Sequence, residues 1–204
     1  MIMNKFHPLA ITSINRLTAD AVAISFNVSN NTLFQFEAGQ YITIKKDING
    51  EEVRRAYSIC SMNSEGVTIG VKKVETGRMS SFLTQSVKEG DVLNVMPPSG
   101  NFVIKGDNKH IVGICAGSGV TPIIAMIKTE LAKPSDAKFT LIYGNKTKDS
   151  SMFAEELHQL QINNSDRLKI HNAYSREGVA GAINGRLDKN TIQQLLNTFM
   201  SLKT

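Results

Sequence analysis

The chain has 204 residues, 41% of them hydrophobic and 20% charged, which is the make-up of a folded globular protein. Two cysteines, Cys60 and Cys115, are too few for a disulfide framework or an all-cysteine iron–sulfur cluster, and with no leader-like start the predicted setting is cytoplasmic. The net charge of +5 invites nucleic acid, yet the basic residues are interleaved with acids and tryptophan is absent, so no nucleic-acid partner is expected.

The first hundred or so residues predict strands. Ala21–Val28 alternates apolar with small or polar side chains, as do Tyr41–Ile44, Val67–Val71 and Val92–Val95. Turns at Asn30-Asn31, Ala38-Gly39, Asn49-Gly50 and Pro97–Gly100 separate them, and the spacing predicts a small antiparallel barrel or sandwich. One short helix is expected from near Met79, with Phe82, Leu83 and Val87 on one side. A polar linker follows at Lys105–Lys109.

Beyond it the pattern changes to strand alternating with helix, which predicts an α/β domain with a parallel sheet. Ile111–Ala116 is a continuous apolar run, expected to be a strand buried on both faces. A helix from Pro122, a strand at Phe139–Gly144 and a helix at Met152–Leu160 come next. Leu168–Tyr174 is a third strand and Thr191–Leu202 a third helix. Ile111–Ile127 carries no charge, but it is short for a membrane span and broken by Gly117-Ser118-Gly119 and Pro122, so no membrane partner is expected. The two domains are placed at 1–106 and 107–204.

Four stretches carry candidate chemistry. In RRAYSICS, Arg54 to Ser61, strand alternation points Arg55 and Tyr57 the same way, a pairing suited to a ligand both anionic and aromatic. In VKKVETGRMSS, Val71 to Ser81, a glycine turn precedes Ser80 at a helix start; it reads as a phosphate cradle or as a serine cap. AGSGVTP, Ala116 to Pro122, is a G-x-G-x-x-P turn between strand and helix. It reads as an anion site or simply as a tight connection. Ser175-Arg176 stands at the carboxyl end of a strand, where it could hold a phosphate monoester or be a solvated loop. The histidines show no metal-ligand spacing, and no metal site is expected.

Taken in this order, the motifs resemble the ferredoxin–NADP reductase family, with an FAD-binding β-barrel followed by a nicotinamide-nucleotide domain. FEAGQY, RRAYSICS, VKKVETG, GDVLNVMPPSGNF, YGNK and GRLD are similar to the phenylacetyl-CoA epoxidase branch of its reductases. The resemblance implies that Arg55 pairs with the FAD pyrophosphate, Tyr57 lies on the isoalloxazine ring and Ser58 sits near its N5. Val71 and Lys72 would line the cofactor through their backbone, and Gly77, Met79 and Ser80 would hold its phosphates. Gly117, Ser118, Gly119, Thr121 and Pro122 would form the nicotinamide-nucleotide loop, with Thr121 facing the flavin. Tyr57, Ser58 and Thr121 are then the residues expected at the reacting atoms. Ser175 and Arg176 match contacts to a 2′-phosphate, favouring NADPH over NADH.

The implied activity is reduction of FAD by NADPH, with electrons passed singly to an iron–sulfur centre of an oxygenase system. A stand-alone flavodoxin or flavohaemoprotein type of reductase and a non-catalytic FAD-binding fragment are the competing readings. In the family another strand follows, ending in Cys-Gly-Pro, and epoxidase reductases add a 2Fe–2S ferredoxin domain. This sequence stops at Thr204. The expectation is therefore a monomer whose α/β domain is incomplete, which binds FAD but is reduced about tenfold or more slowly than a full-length parent.

Overall fold

The computed structural model describes residues 5–29 and 31–201. Six strands make the first sheet: β1 (His7–Thr18), β2 (Ala21–Phe26), β3 (Tyr41–Ile48), β4 (Glu51–Ser58), β5 (Thr68–Lys72) and β6 (Val92–Ser99). All pair antiparallel, in the order β4-β3-β6-β1-β2-β5. Every second side chain turns inward. Ile42, Ile44, Val22, Ile24, Ile69 and Val71 thus meet in one apolar core, covered by Met79 and Leu83 of α1 (Arg78–Gln85). The curl is incomplete. The outer strands β4 and β5 are joined only where Ile59 and Cys60 run beside Ile69 and Thr68.

The longest strand, β1, was absent from the predicted set. Register shifts at Ile11/Ser13 and Arg16/Thr18 interrupt its alternation, so its period of two is broken in the sequence as well.

The second sheet is parallel, in the order β10-β9-β8-β7, from β7 (His110–Ala116), β8 (Lys138–Asn145), β9 (Leu168–Tyr174) and the two-residue β10 (Ile183–Asn184). Between and after these strands lie α2 (Val120–Ala132), α3 (Ala154–Asn163) and α4 (Lys189–Ser201). Helix α3 begins two residues later than predicted, because Phe153 adopts the left-handed conformation at φ +59° and turns the chain first. Leu202, the predicted end of the last helix, lies outside the described residues.

One prediction is corrected. β7 is an outer strand, not a strand buried on both faces: Gly113 faces inward, while Val112 and Ile114 are 37% and 39% exposed.

The small residues of β2 explain how the halves meet. Val22 and Ile24 face the first core, but Ala21 and Ala23 face the other way, together with Cys60. They pack on Val120, Ile123, Ile124 and Ile127 of α2 and on Met152 and Phe153. Both faces of β2 are therefore buried, and short side chains let the helix approach closely. Gly70 on β5 continues this seam. A methyl group there would lie 2.5 Å from Thr121 Cγ2 and 3.1 Å from both Met152 Cε and Phe153 Cζ. Lys128 of α2 adds an ionic tie, reaching Glu65 at 2.7 Å and Glu156 at 3.1 Å. Burial works against its charge, but the two carboxylates outweigh that and raise its pKa. Gly70→Ala is expected to cost about 1–3 kcal/mol by overpacking the seam, seen as a lower midpoint in denaturant unfolding.

Candidate functional site

Parallel strands leave a crevice beyond their carboxyl ends, and here it is a cavity of about 550 Å³. Gly117 and Ser118 line it after β7, Asn145 and Lys146 after β8, and Ser175 and Arg176 after β9. Gly117 turns the chain at φ +52°, in the left-handed region that glycine enters at little cost. A short 3-10 turn, Gly117–Gly119, then leads into α2. Gly119 continues that turn into α2 in right-handed conformation and has no capping side chain; the Val120 N–H is taken by the Gly117 and Ser118 carbonyls, so it is the start of the turn that presents its positive end to an anion. Pro122 lies in that first turn, where its missing N–H costs nothing. Thr121 is buried, and its hydroxyl donates to the Ser118 carbonyl at 2.9 Å while its methyl abuts Gly70. Its hydroxyl thus braces the loop.

Across the seam, Asp20 and Lys72 complete the cavity wall. Lys72 Nζ donates to Asp20 Oδ1 at 2.8 Å and to the Ser150 carbonyl at 3.1 Å, tying the two halves together. Partial burial raises the Asp20 pKa, but hydrogen bonds from Lys72 and Thr18 and the Lys72 charge prevail and hold it below the ordinary carboxylate value. The cations at the other end are unpaired: among the described residues, no carboxylate lies within ion-pair distance of Lys146, Arg176 or Arg186. Asn145 Nδ2 is buried there and makes no hydrogen bond of ordinary length, although it is near enough to the Tyr143 hydroxyl to favour that phenol's ionised form slightly against the burial that raises its pKa.

A second group lies along the open edge of the first sheet. Arg54 and Arg55 differ sharply. Arg54 pairs with Glu52 at 2.6 Å and lies 5.2 Å from the Phe6 ring centroid, whereas Arg55 is exposed and donates only to the Arg54 carbonyl, at 2.7 Å. Tyr57 is on the Arg55 side of the strand; burial pushes its phenol up to about 12 against the opposing Arg55 charge, so it stays neutral. Ser58 follows, half-buried at the strand end. Val71 is fully buried in the core, so only its backbone is available, whereas Lys72 sends its side chain into the cavity instead. Gly77 caps α1 with no side-chain bond, which frees the main-chain N–H groups near Met79 and Ser80. The Ser80 hydroxyl is already engaged, donating to the Gly77 carbonyl and accepting from Val74 N–H, both at 3.1 Å. It shapes the turn and does not cap the helix.

The predicted residues therefore fall into two neighbouring sets. Lys72, Gly117, Ser118, Ser175 and Arg176 share the cavity; Arg55, Tyr57, Ser58, Gly77, Met79 and Ser80 belong to the first half. Sequence reasoning did not single out Asp20, Asn145, Lys146 or Arg186. The last three lie inside YGNK and GRLD, so the signal was present without a residue attached to it. No cluster of metal-ligating side chains occurs among the described residues, and none of their helices is long and apolar enough to cross a membrane.

A curled antiparallel sheet docked on a parallel α/β sheet, with a crevice at the carboxyl ends of the parallel strands lined by unpaired cations, is the arrangement of a two-domain nucleotide-binding protein. Known proteins bear out the class. Residues 8–104 match the oxidoreductase FAD-binding domain and residues 114–203 the oxidoreductase NAD-binding domain. One component of the 1,2-phenylacetyl-CoA epoxidase of Escherichia coli K12 is 36% identical over 200 residues, 95% of this chain and 56% of that protein. A flavohemoprotein of Pseudomonas aeruginosa is 42% identical over 113 residues, 55% of this chain and 29% of that protein. The flavohem-like FAD/NAD-binding domain of nitric oxide dioxygenase from Vibrio cholerae superposes with a TM-score of 0.81 at 20% identity, over 98% of this chain and 94% of that one. The chain belongs to the ferredoxin–NADP reductase family. It spans little more than half the length of the epoxidase relative.

The Asp20–Lys72 pair gives a pH-dependent prediction. Because the folded pKa of Asp20 is depressed, its contribution is present above the unfolded carboxylate value and is lost as pH falls through the folded one. Asp20→Asn should cost up to about 1 kcal/mol near neutrality, as expected of a partly exposed pair, and nothing once the carboxylate is protonated. Urea unfolding of both proteins across the acid range measures this.

Proposed function

We propose that this chain is the flavin- and nicotinamide-binding part of an NADPH-dependent reductase that passes electrons to an iron–sulfur centre of an oxygenase system. The observation that carries the reading is the distribution of unpaired cations. Arg55 stands beside the neutral phenol of Tyr57 on one side of the seam, and Lys146, Arg176 and Arg186 surround one cavity on the other. The donor sets fit the two cofactors. FAD would be held by Arg55 and the N–H groups at the start of α1, with Tyr57 against its ring, Ser58 near N5 and the Val71–Lys72 backbone along it. NADPH would sit on the Gly117-Ser118-Gly119 turn and the start of α2, with Thr121 and Pro122 fixing that turn. Ser175, Arg176, Lys146 and Arg186 would take the 2′-phosphate, and the buried amide of Asn145 would gain a hydrogen bond.

When bound, the flavin supplies the conversion of a two-electron hydride donor into single-electron steps. The chain's task is positional: Tyr57 and Ser58 on one face and the α2 loop on the other hold the reacting rings in register and exclude water. Tyr57 does not exchange protons near neutral pH, since its phenol titrates at about 12. The domains assigned to these tasks are 1–106 and 107–204, and a soluble cytoplasmic monomer goes with them. Similarity to the epoxidase component supports an acceptor of the phenylacetate-degradation type. Similarity to the flavohemoprotein supports haem-linked electron transfer as the second reading.

Protein reconstituted with FAD should show the blue and near-ultraviolet flavin bands. Arg55→Ala should weaken FAD binding by about 1.5–3 kcal/mol, the worth of a charged hydrogen bond. A folded chain that takes up no flavin would end this reading. Nucleotide choice is a separate test. NADP⁺ should perturb the flavin spectrum at lower concentration than NAD⁺, and Arg176→Ala should narrow that gap chiefly through NADP⁺. An unaltered preference removes Arg176 from the 2′-phosphate site. Supplying reduced protein with a 2Fe–2S ferredoxin or a haem domain discriminates the two acceptor readings.

A further inference from the structure

Tyr143 occupies the middle of the seam without belonging to any set described so far. It is 1% exposed and packs in the core shared with α2, Met152 and Phe153. Its hydroxyl lies 3.1 Å from the Gly117 carbonyl and 3.3 Å from the Met152 carbonyl, so one proton is shared between two acceptors. Burial is the largest influence on its pKa and raises it, so the phenol remains a donor. A phenylalanine would fill the same volume. What the hydroxyl adds is its link between two main-chain carbonyls, that of Gly117, which also accepts from the Val120 N–H, and that of Met152.

Those carbonyls belong to the two segments whose spacing matters most. Gly117 is the left-handed residue on which the nucleotide loop turns. Met152 opens the Met152–Phe153 turn, whose side chains are wedged against Gly70 of β5, the strand proposed to line the flavin. We propose that Tyr143 is a positioning residue: its hydroxyl fixes the nucleotide loop at Gly117 to the turn that abuts the flavin-side sheet, and so sets the separation of the two bound rings. The inference rests on the proposed NADPH and FAD sites for its function, though the mechanical link exists without either ligand. Thr121 reinforces it from the other direction, with its hydroxyl on Ser118 and its methyl on Gly70.

The test is Tyr143→Phe, which keeps the ring and hence the core. Ile142→Val, on the opposite face of the same strand and fully buried, serves as the control for general loosening. In the ligand-free protein, amide hydrogen exchange over residues 117–121 should quicken about tenfold in Tyr143→Phe while the β1–β6 core is unchanged. In the FAD-loaded protein, NADP⁺ affinity should fall about fivefold or more, with an altered flavin difference spectrum at saturation and unchanged FAD affinity. Unchanged exchange at the loop overturns the proposal, as does equal quickening in Ile142→Val. Parent protein that binds FAD but no NADP⁺ removes the functional reading, whereas normal NADP⁺ binding and spectrum in Tyr143→Phe remove only the positioning role.

Discussion

The structure depends on a close approach between one face of an antiparallel sheet and one end of a parallel one. Ala21, Ala23 and Gly70 present almost no side chain at the seam, so α2 and the Met152–Phe153 turn come down onto the backbone of β2 and β5. Dispersion falls off steeply with separation, and a contact made of methyl groups and backbone is stiff in a way that long side chains are not. That stiffness has a chemical use. Two flat rings held by different halves of a protein react only when their separation is controlled to a fraction of an ångström.

Electrostatics at the seam divides the same way. Lys72 is neutralised by Asp20 and held by the Ser150 carbonyl, so it works as a strut between the halves. Among the described residues, Lys146, Arg176 and Arg186 of the same cavity have no acid partner. A charged end beside a neutralised one favours a ligand that is itself lopsided, with phosphate at one end and a near-neutral ring at the other. The start of α1 and the turn that leads into α2 add donors that cost no side-chain entropy on binding.

Much of this was legible in the sequence, because strand and helix periods differ and glycine–proline turns are conspicuous. Leu168–Tyr174 was placed to the residue, and AGSGVTP was read correctly as a turn into a helix. The errors have a common physical origin: local pattern does not reveal what lies across a face. Alternation along β2 does not say that its alanine side is buried at the seam, and the apolar run of β7 reads as buried on both faces although among the described residues β7 is an outer strand. Hydroxyl orientation is equally invisible to local pattern. The hydroxyl of Ser80, read as a phosphate ligand or a helix cap, donates to the Gly77 carbonyl, and that of Thr121, expected to face the flavin, donates to the Ser118 carbonyl. Alternation put Arg55 on the Tyr57 side of the strand, and Arg54, on the other side, is the one paired with Glu52.

The incomplete curl of the first sheet follows the same logic. β4 and β5 touch at Ile59–Ile69 and then part, so the outward backbone of Val71 and Lys72 lacks a neighbouring strand. Unpaired strand edges are ordinarily a liability. Arg55 and Tyr57 share one side of β4, whose end borders that gap, and α1 starts after the turn that follows β5. A ligand that is planar at one end and anionic at the other would supply what a seventh strand would otherwise provide. Binding of that kind stabilises only the folded state, by about 2.7 kcal/mol at a hundredfold excess over the dissociation constant. The gap is therefore intelligible as a place where folding stability and cofactor affinity are the same quantity, which is why the sheet can stay open there.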